Sequence, residues 1–116
     1  MAHPVVWFEV NGKQSDELIG FYQKLFGWKI DASNPMHYGM VQTGGESGIP
    51  GGIGERRDDK SPGVTFYVQS SDLASSLARA EKLGGKTILP PTQAEGGPEL
   101  AMLADPQGNL IGLVKG

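Results

Sequence analysis

The stretch VWFEV at residues 6–10 returns as VTFYV at residues 64–68, displaced by 58 residues, which is half of the 116-residue chain. The same displacement, without a gap, lays YQKLFGWKI (22–30) on AEKLGGKTI (80–88) and Ile53-Gly54 on Ile111-Gly112. Chance aligns a few apolar residues, but equal offsets at a strand, a helix end and a final strand mark a duplication. The chain is therefore read as one domain, 1–116, built from two copies of a single module, module one at 1–57 and module two at 58–116.

Each copy opens on an alternating strand. Val6, Phe8 and Val10 take one face and Trp7 and Glu9 the other, as Val64, Phe66 and Val68 oppose Thr65, Tyr67 and Gln69. A helix follows. In module one Leu18, Phe21, Tyr22 and Leu25 recur at helical spacing, Ser15 is placed as N-cap, Asp16 and Glu17 suit the first turn, and Gly27 ends it. In module two Asp72 caps, Leu73, Leu77 and Ala80 form the stripe, and Gly84-Gly85 stop it. Three short strands complete each copy, near 28–32, 37–43 and 50–55 and again near 86–90, 99–104 and 109–115. Turns are expected at Asn34-Pro35, Gly44-Gly45, Pro90-Pro91 and 96–98, with DPQG (105–108) as the tightest. The charged segment 55–63 reads as the connector.

Composition bounds the function. With 38% hydrophobic and 20% charged residues and a formal net charge of −3, this is an ordinary globular chain without the basic surface that nucleic acid requires. Zero cysteines exclude disulfides, iron–sulfur clusters and thiolate-bound zinc. The N-terminal segment MAHPVVWFEV carries neither a basic n-region nor a long apolar run, so the expectation is a cytoplasmic protein with no membrane partner. The segment GESGIPGGIG (45–54) lacks the GK[ST] ending of a phosphate loop and reads as a rim leading into a glycine-rich strand.

A duplicated βαβββ module with FYQKLFGWKI around its first helix end and LADPQGNLIGLV in its last hairpin resembles the vicinal oxygen chelate superfamily of glyoxalases, bleomycin-resistance proteins and extradiol dioxygenases. The resemblance covers essentially the whole chain. It implies an α+β fold in which two βαβββ modules form a cupped mixed β-sheet with helices on the outer face. It also implies, for the enzymes, one divalent metal in the cup, held by side chains from the first and last strand of each module. Transferred to this chain, those four positions are Trp7, Thr65, Gly54 and Gly112. An indole is no metal ligand, glycine has no side chain, and one hydroxyl is a poor donor, so no metal and no other cofactor is expected. The two glycines then either leave the middle of the cup open to a ligand or let strands approach closely.

The candidate ligand-binding set is Trp7, Glu9, His37, Tyr38, Met40, Gly54, Thr65, Tyr67, Gln69 and Gly112. Trp7 offers a flat apolar platform, or alternatively fills the cup itself. Glu9 shares its face; an inward carboxylate either finds a partner or attracts a cationic group. His37 begins the third strand and points either into the cup or to solvent, while His3 lies in the terminal segment. Three readings follow: a metal-free small-molecule binder, a glyoxalase- or dioxygenase-type enzyme with an atypical metal site using Glu9 and His37, or an interaction module with a filled cup. The missing ligands disfavour the second and the inward polar set disfavours the third. The first is the expectation, with a planar, partly apolar ligand and a homodimeric assembly.

Overall fold

The computed structural model describes residues 2–56, 58 and 62–116, so part of the expected connector at 55–63 lies outside the described residues. The element order is β1 (Val5–Gly12), α1 (Ser15–Phe26), β2 (Lys29–Asp31), β3 (Gly39–Gln42) and β4 (Gly51–Glu55), then β5 (Val64–Ser70), α2 (Leu73–Lys82), β6 (Lys86–Gln93), β7 (Glu99–Ala104) and β8 (Leu110–Lys115). The βαβββ module thus occurs twice, and the fold is α+β.

Two compact units are present, one of residues 7–65 and one of residues 1–6 with 66–116. In the first, the strands lie in the order β2-β3-β4-β1, with β1 parallel to β4 and the other neighbours antiparallel. In the second, the order is β5-β8-β7-β6, with β5 parallel to β8 and the rest antiparallel. The mixed pairing is what a βαβ crossover followed by two hairpins dictates. The register is not the same in the two units. Glu9 pairs with Gly52, whereas its repeat mate Tyr67 pairs with Gly112, the mate of Gly54. A slip of an even number of residues leaves every side chain on its original face, so the alternation survives it.

In the first unit Phe8 and Val41 lie on the face that α1 covers, with Ile53 wholly buried beside them. A methyl on Gly12 would touch Leu18, and one on Gly39 would touch Ile19 and Ile30, which marks this face as the helix side. Trp28 fastens the end of α1: its ring lies 5.3 Å from Tyr22, stacked, 5.2 Å from Phe26 and 5.6 Å from Phe8. Gly27 makes that turn possible, with a left-handed φ of 70° and its N–H donating to the Gln23 carbonyl at 2.9 Å. In the second unit Leu73 and Leu77 of α2 pack on Ala101 and Leu113, joined by Val68 and Leu103. Asp72 caps α2 as expected, accepting from Ser75 N at 3.0 Å.

Three local expectations are corrected. Ser15 is the buried first residue of α1 and not its cap; Gln14 holds that position and makes no side-chain cap bond. The α1 stripe is also rotated. Leu18, Ile19 and Tyr22 face the sheet, while Phe21 and Leu25 are 55% and 56% exposed. Pro90-Pro91 is not a turn but lies inside β6, at an irregularity in the pairing with β7. A strand that ends its sheet order needs donors on one side only, so proline is tolerated there.

Candidate functional site

The opposite face of the first unit is built by the odd residues of β1. Trp7, Glu9 and Asn11 alternate away from the helix side, and pairing sets Gly52 beside Glu9 and Gly54 beside Asn11. Over these glycines lies Tyr38. A methyl on Gly52 would fall inside the Tyr38 phenol, and one on Gly54 would sit 2.8 Å from Asn11 Oδ1 and 3.2 Å from the Tyr38 ring. The loop before β3 aims the ring there. Asn34 Nδ2 donates to the Tyr38 carbonyl at 2.7 Å, Tyr38 N donates back to Asn34 Oδ1 at 2.9 Å, and His37 N donates to the Asn34 carbonyl at 2.9 Å.

Trp7 Nε1 donates to Tyr38 Oη at 3.1 Å, and Tyr38 Oη donates to Glu9 Oε2 at 2.7 Å. Asn11 Nδ2 donates to Glu9 Oε1 at 2.9 Å and to the Pro62 carbonyl at 3.2 Å. Each member satisfies the next, and such chains polarise cooperatively. The Glu9 carboxylate is therefore engaged by a phenol and an amide, and its effect is to hold Tyr38 and, through it, the indole of Trp7. In this unit the space beside Gly54 is filled by Tyr38 and Asn11, which corrects the expectation of an open middle there.

Beside this network is an open pocket of about 350 Å³, lined by Trp7, Lys29, Asp31, Met40, Gln42 and Pro50. Lys29 pairs with Gln42 and Asp31 with Met40, so these four share one face of the β2–β3 ladder. Asp31 accepts from Ser33 Oγ and Ser33 N, and these two bonds hold its carboxyl below the usual carboxylate range. The pocket thus has an apolar wall of indole, thioether and proline and a rim carrying one anion and one cation.

Of the expected site residues, the structure brings together Trp7, Glu9, Tyr38 and Gly54, with Met40 paired to Gly52 and lining the pocket beside them. His37 does not join them. It sits at a left-handed φ of 52°, and its Nε2 lies 2.6 Å from Asp16 Oδ1 at the start of α1. The imagined pairing of Glu9 with His37 around a metal therefore fails on geometry. Thr65 is buried in the same unit. In the second unit Tyr67 is buried and lies over Gly112, where an added methyl would come within 2.7 Å of Tyr67 Cγ. Gln69 covers Gly116, and its carbonyl is 3.2 Å from His3 Nδ1. Sequence reasoning missed Asn11, Lys29, Asp31, Gln42 and Pro50. Extending the alternation of β1 by two residues finds Asn11; the others depend on pairing between strands.

The divalent ion that the resemblance implies does not fit these residues. A side chain at position 112 would run into the Tyr67 ring, one at position 54 would crowd Asn11 Oδ1 and the edge of the Tyr38 ring, and Trp7 cannot ligate. Among the described residues no three His, Asp or Glu side chains come together in a way that could hold a metal. No helix among them is long and apolar enough to cross a membrane.

Comparison with solved structures gives the same architecture. A hypothetical protein from Bacillus halodurans superposes with a TM-score of 0.75 at 11% identity, covering 100% of this chain and 96% of that one. A glyoxalase/bleomycin resistance protein/dioxygenase superfamily member from Vibrio splendidus gives 0.67 at 14% identity, with coverage of 99% and 100%. A methylmalonyl-CoA epimerase from Streptomyces coelicolor, solved with 2-nitronate-propionyl-CoA, gives 0.69 at 16% identity, with coverage of 99% and 95%. Identities this low establish the fold and leave the chemistry to the site. No curated protein matches the sequence. The family model for the glyoxalase-like domain matches residues 7–114. With nearly the whole chain inside that match and the βαβββ unit present twice, the protein belongs to the glyoxalase-like domain family of the vicinal oxygen chelate superfamily.

Proposed function

We propose that this protein binds a small, planar, partly apolar molecule without a metal, and that the pocket against Trp7 receives it. The observation that carries this reading is the fixed indole: Trp7 lines a pocket of about 350 Å³ while its N–H is tied to Tyr38. That volume falls in the range of small-ligand sites, and an indole already held in place loses little freedom on binding. Met40 and Pro50 supply the facing apolar surface, and Asp31 at the rim suits a cationic or hydrogen-bond-donating group. Glu9 acts through Tyr38 and not by direct contact with the ligand. The Streptomyces epimerase holds an acyl-CoA analogue on this fold, which supports a small-molecule role.

The test is a thermal-shift screen of planar aromatic compounds with and without amino groups, followed by fluorescence titration of the best binder. Trp7→Ala should weaken its binding by about 1–3 kcal/mol, and Asp31→Asn should weaken that of an amino-bearing compound but not of its neutral counterpart. Unchanged affinity in Trp7→Ala would remove this pocket from consideration. Stoichiometric divalent metal in protein dialysed against a weak chelator would overturn the metal-free reading.

A further inference from the structure

The rim of the Trp7 pocket carries three polar side chains that the fold itself does not use. Lys29, Asp31 and Gln42 lie on one face of the β2–β3 ladder: Lys29 and Gln42 are cross-strand partners, about 5 Å apart at Cα, and Asp31 follows Lys29 by two residues, about 6.5–7 Å along the strand. Opposite charges at that spacing can meet, yet Lys29 and Asp31 form no ion pair with each other or with any other described residue. The Gln42 side chain has no hydrogen-bond partner among the described residues either. Both bonds that Asp31 accepts, from Ser33 Oγ and Ser33 N, fall on Oδ1, and Oδ2 is left without a partner among the described residues. The same two bonds keep this carboxyl anionic at neutral pH.

We propose that the molecule received by this pocket is an aromatic zwitterion, its ring against Trp7, its carboxylate held by Lys29 with Gln42, and its ammonium held by Asp31 Oδ2; the inference rests on the small-molecule reading above and names the class of the ligand. The charge pattern selects for both groups together. A ligand bearing only an ammonium gains Asp31 but is repelled by Lys29 beside it, and a ligand bearing only a carboxylate meets the reverse. A molecule with both charges on neighbouring carbons meets each with its opposite and adds no net charge to the rim. The apolar contact is separate: Trp7, Met40 and Pro50 carry no charge and accept the ring whatever its substituents. Lys29 has a flexible stem and three donors, so it can reach one carboxylate oxygen while the Gln42 amide donates to the other. All three polar side chains are exposed, so each charged contact changes affinity by a few-fold and is screened by salt.

Isothermal titration calorimetry with four compounds sharing one indole body tests this. L-tryptophan carries both charges, tryptamine the ammonium, indole-3-propionate the carboxylate and 3-ethylindole neither. L-tryptophan should bind about threefold or more tighter than each of the others at low salt, and that margin should fall away at about 1 M sodium chloride. Lys29→Gln should lower L-tryptophan to the level of tryptamine and leave tryptamine no weaker. Asp31→Asn, whose amide keeps an oxygen for Ser33, should lower it to the level of indole-3-propionate. Trp7→Ala should weaken all four. If L-tryptophan holds no margin over the singly charged compounds, or the margin survives Lys29→Gln and Asp31→Asn, the zwitterion is the wrong class; loss of binding in Trp7→Ala in the same series would leave the pocket standing. Failure of all four to bind below about 10 mM also overturns the class, and the best compound of the thermal-shift screen then judges the pocket by itself.

Discussion

Replacing Gly52 with alanine tests whether the Tyr38 ring is what the glycines of β4 make room for. The new methyl would lie inside the phenol, and the β4 backbone is held by pairing on both sides, so the ring has to leave. Leaving breaks the 3.1 Å bond from Trp7 and the 2.7 Å bond to Glu9. A neutral bond contributes about 1 kcal/mol net and a partly buried bond to a carboxylate about 1–2 kcal/mol, and overpacking strain adds to both. The expected cost of Gly52→Ala is therefore about 2–4 kcal/mol. In a Tyr38→Ala background the ring and both bonds are already gone. There the same change should cost nothing and can gain up to about 1 kcal/mol from reduced freedom of the unfolded chain. Urea unfolding followed by circular dichroism on the four proteins of the cycle gives the coupling energy. If Gly52→Ala costs the same in both backgrounds within about 0.5 kcal/mol, the glycine is not there for the ring and the account of the network is wrong.

Two further outcomes are expected. Gly20→Ala, measured at sub-micromolar concentration, should stabilise the fold by about 0.5–1 kcal/mol, since the helix tolerates the methyl and nothing lies within 4 Å of it; a destabilised variant would show an unrecognised neighbour. Asp105 accepts from the Asn109 side chain, then from the backbone N–H of Asn109 and, more weakly, of Gln107, and these hold its carboxyl below the usual value of 3.8. A depressed carboxyl stabilises the fold above its unfolded value and loses that contribution as pH falls through the folded one. The stability difference between wild type and Asp105→Asn should thus be flat at neutral pH and shrink below about pH 4, and a difference that persists unchanged into stronger acid refutes the linkage.

What could be read from the sequence alone is what local chemistry decides. The displacement of 58 residues placed both βαβββ units, because a duplicated module repeats its strand alternation and helix ends together. Gly27 at a left-handed turn, Asp72 as a cap and the glycine of DPQG at φ 89° act within a few residues, so their roles were visible before any folding. The odd residues of β1 fell on the face opposite the helix for the same reason, since a strand alternates with a period of two. The pairing of distant segments decided the rest. Whether Phe21 or Ile19 meets the sheet depends on how α1 is rotated, and an apolar residue at helical spacing fits either face until Trp28 and Phe8 fix the choice. Gly54 and Gly112 read as vacant positions because a sequence shows that a side chain is missing but not which neighbour moves in. Tyr38 comes to Gly52 and Gly54 through the Asn34 loop, and Tyr67 comes to Gly112 across a ladder whose register differs from that of its twin. The pocket beside Trp7 arises in the same way: Lys29 and Asp31 reach it only because β2 pairs antiparallel with β3, a contact made in space and not along the chain.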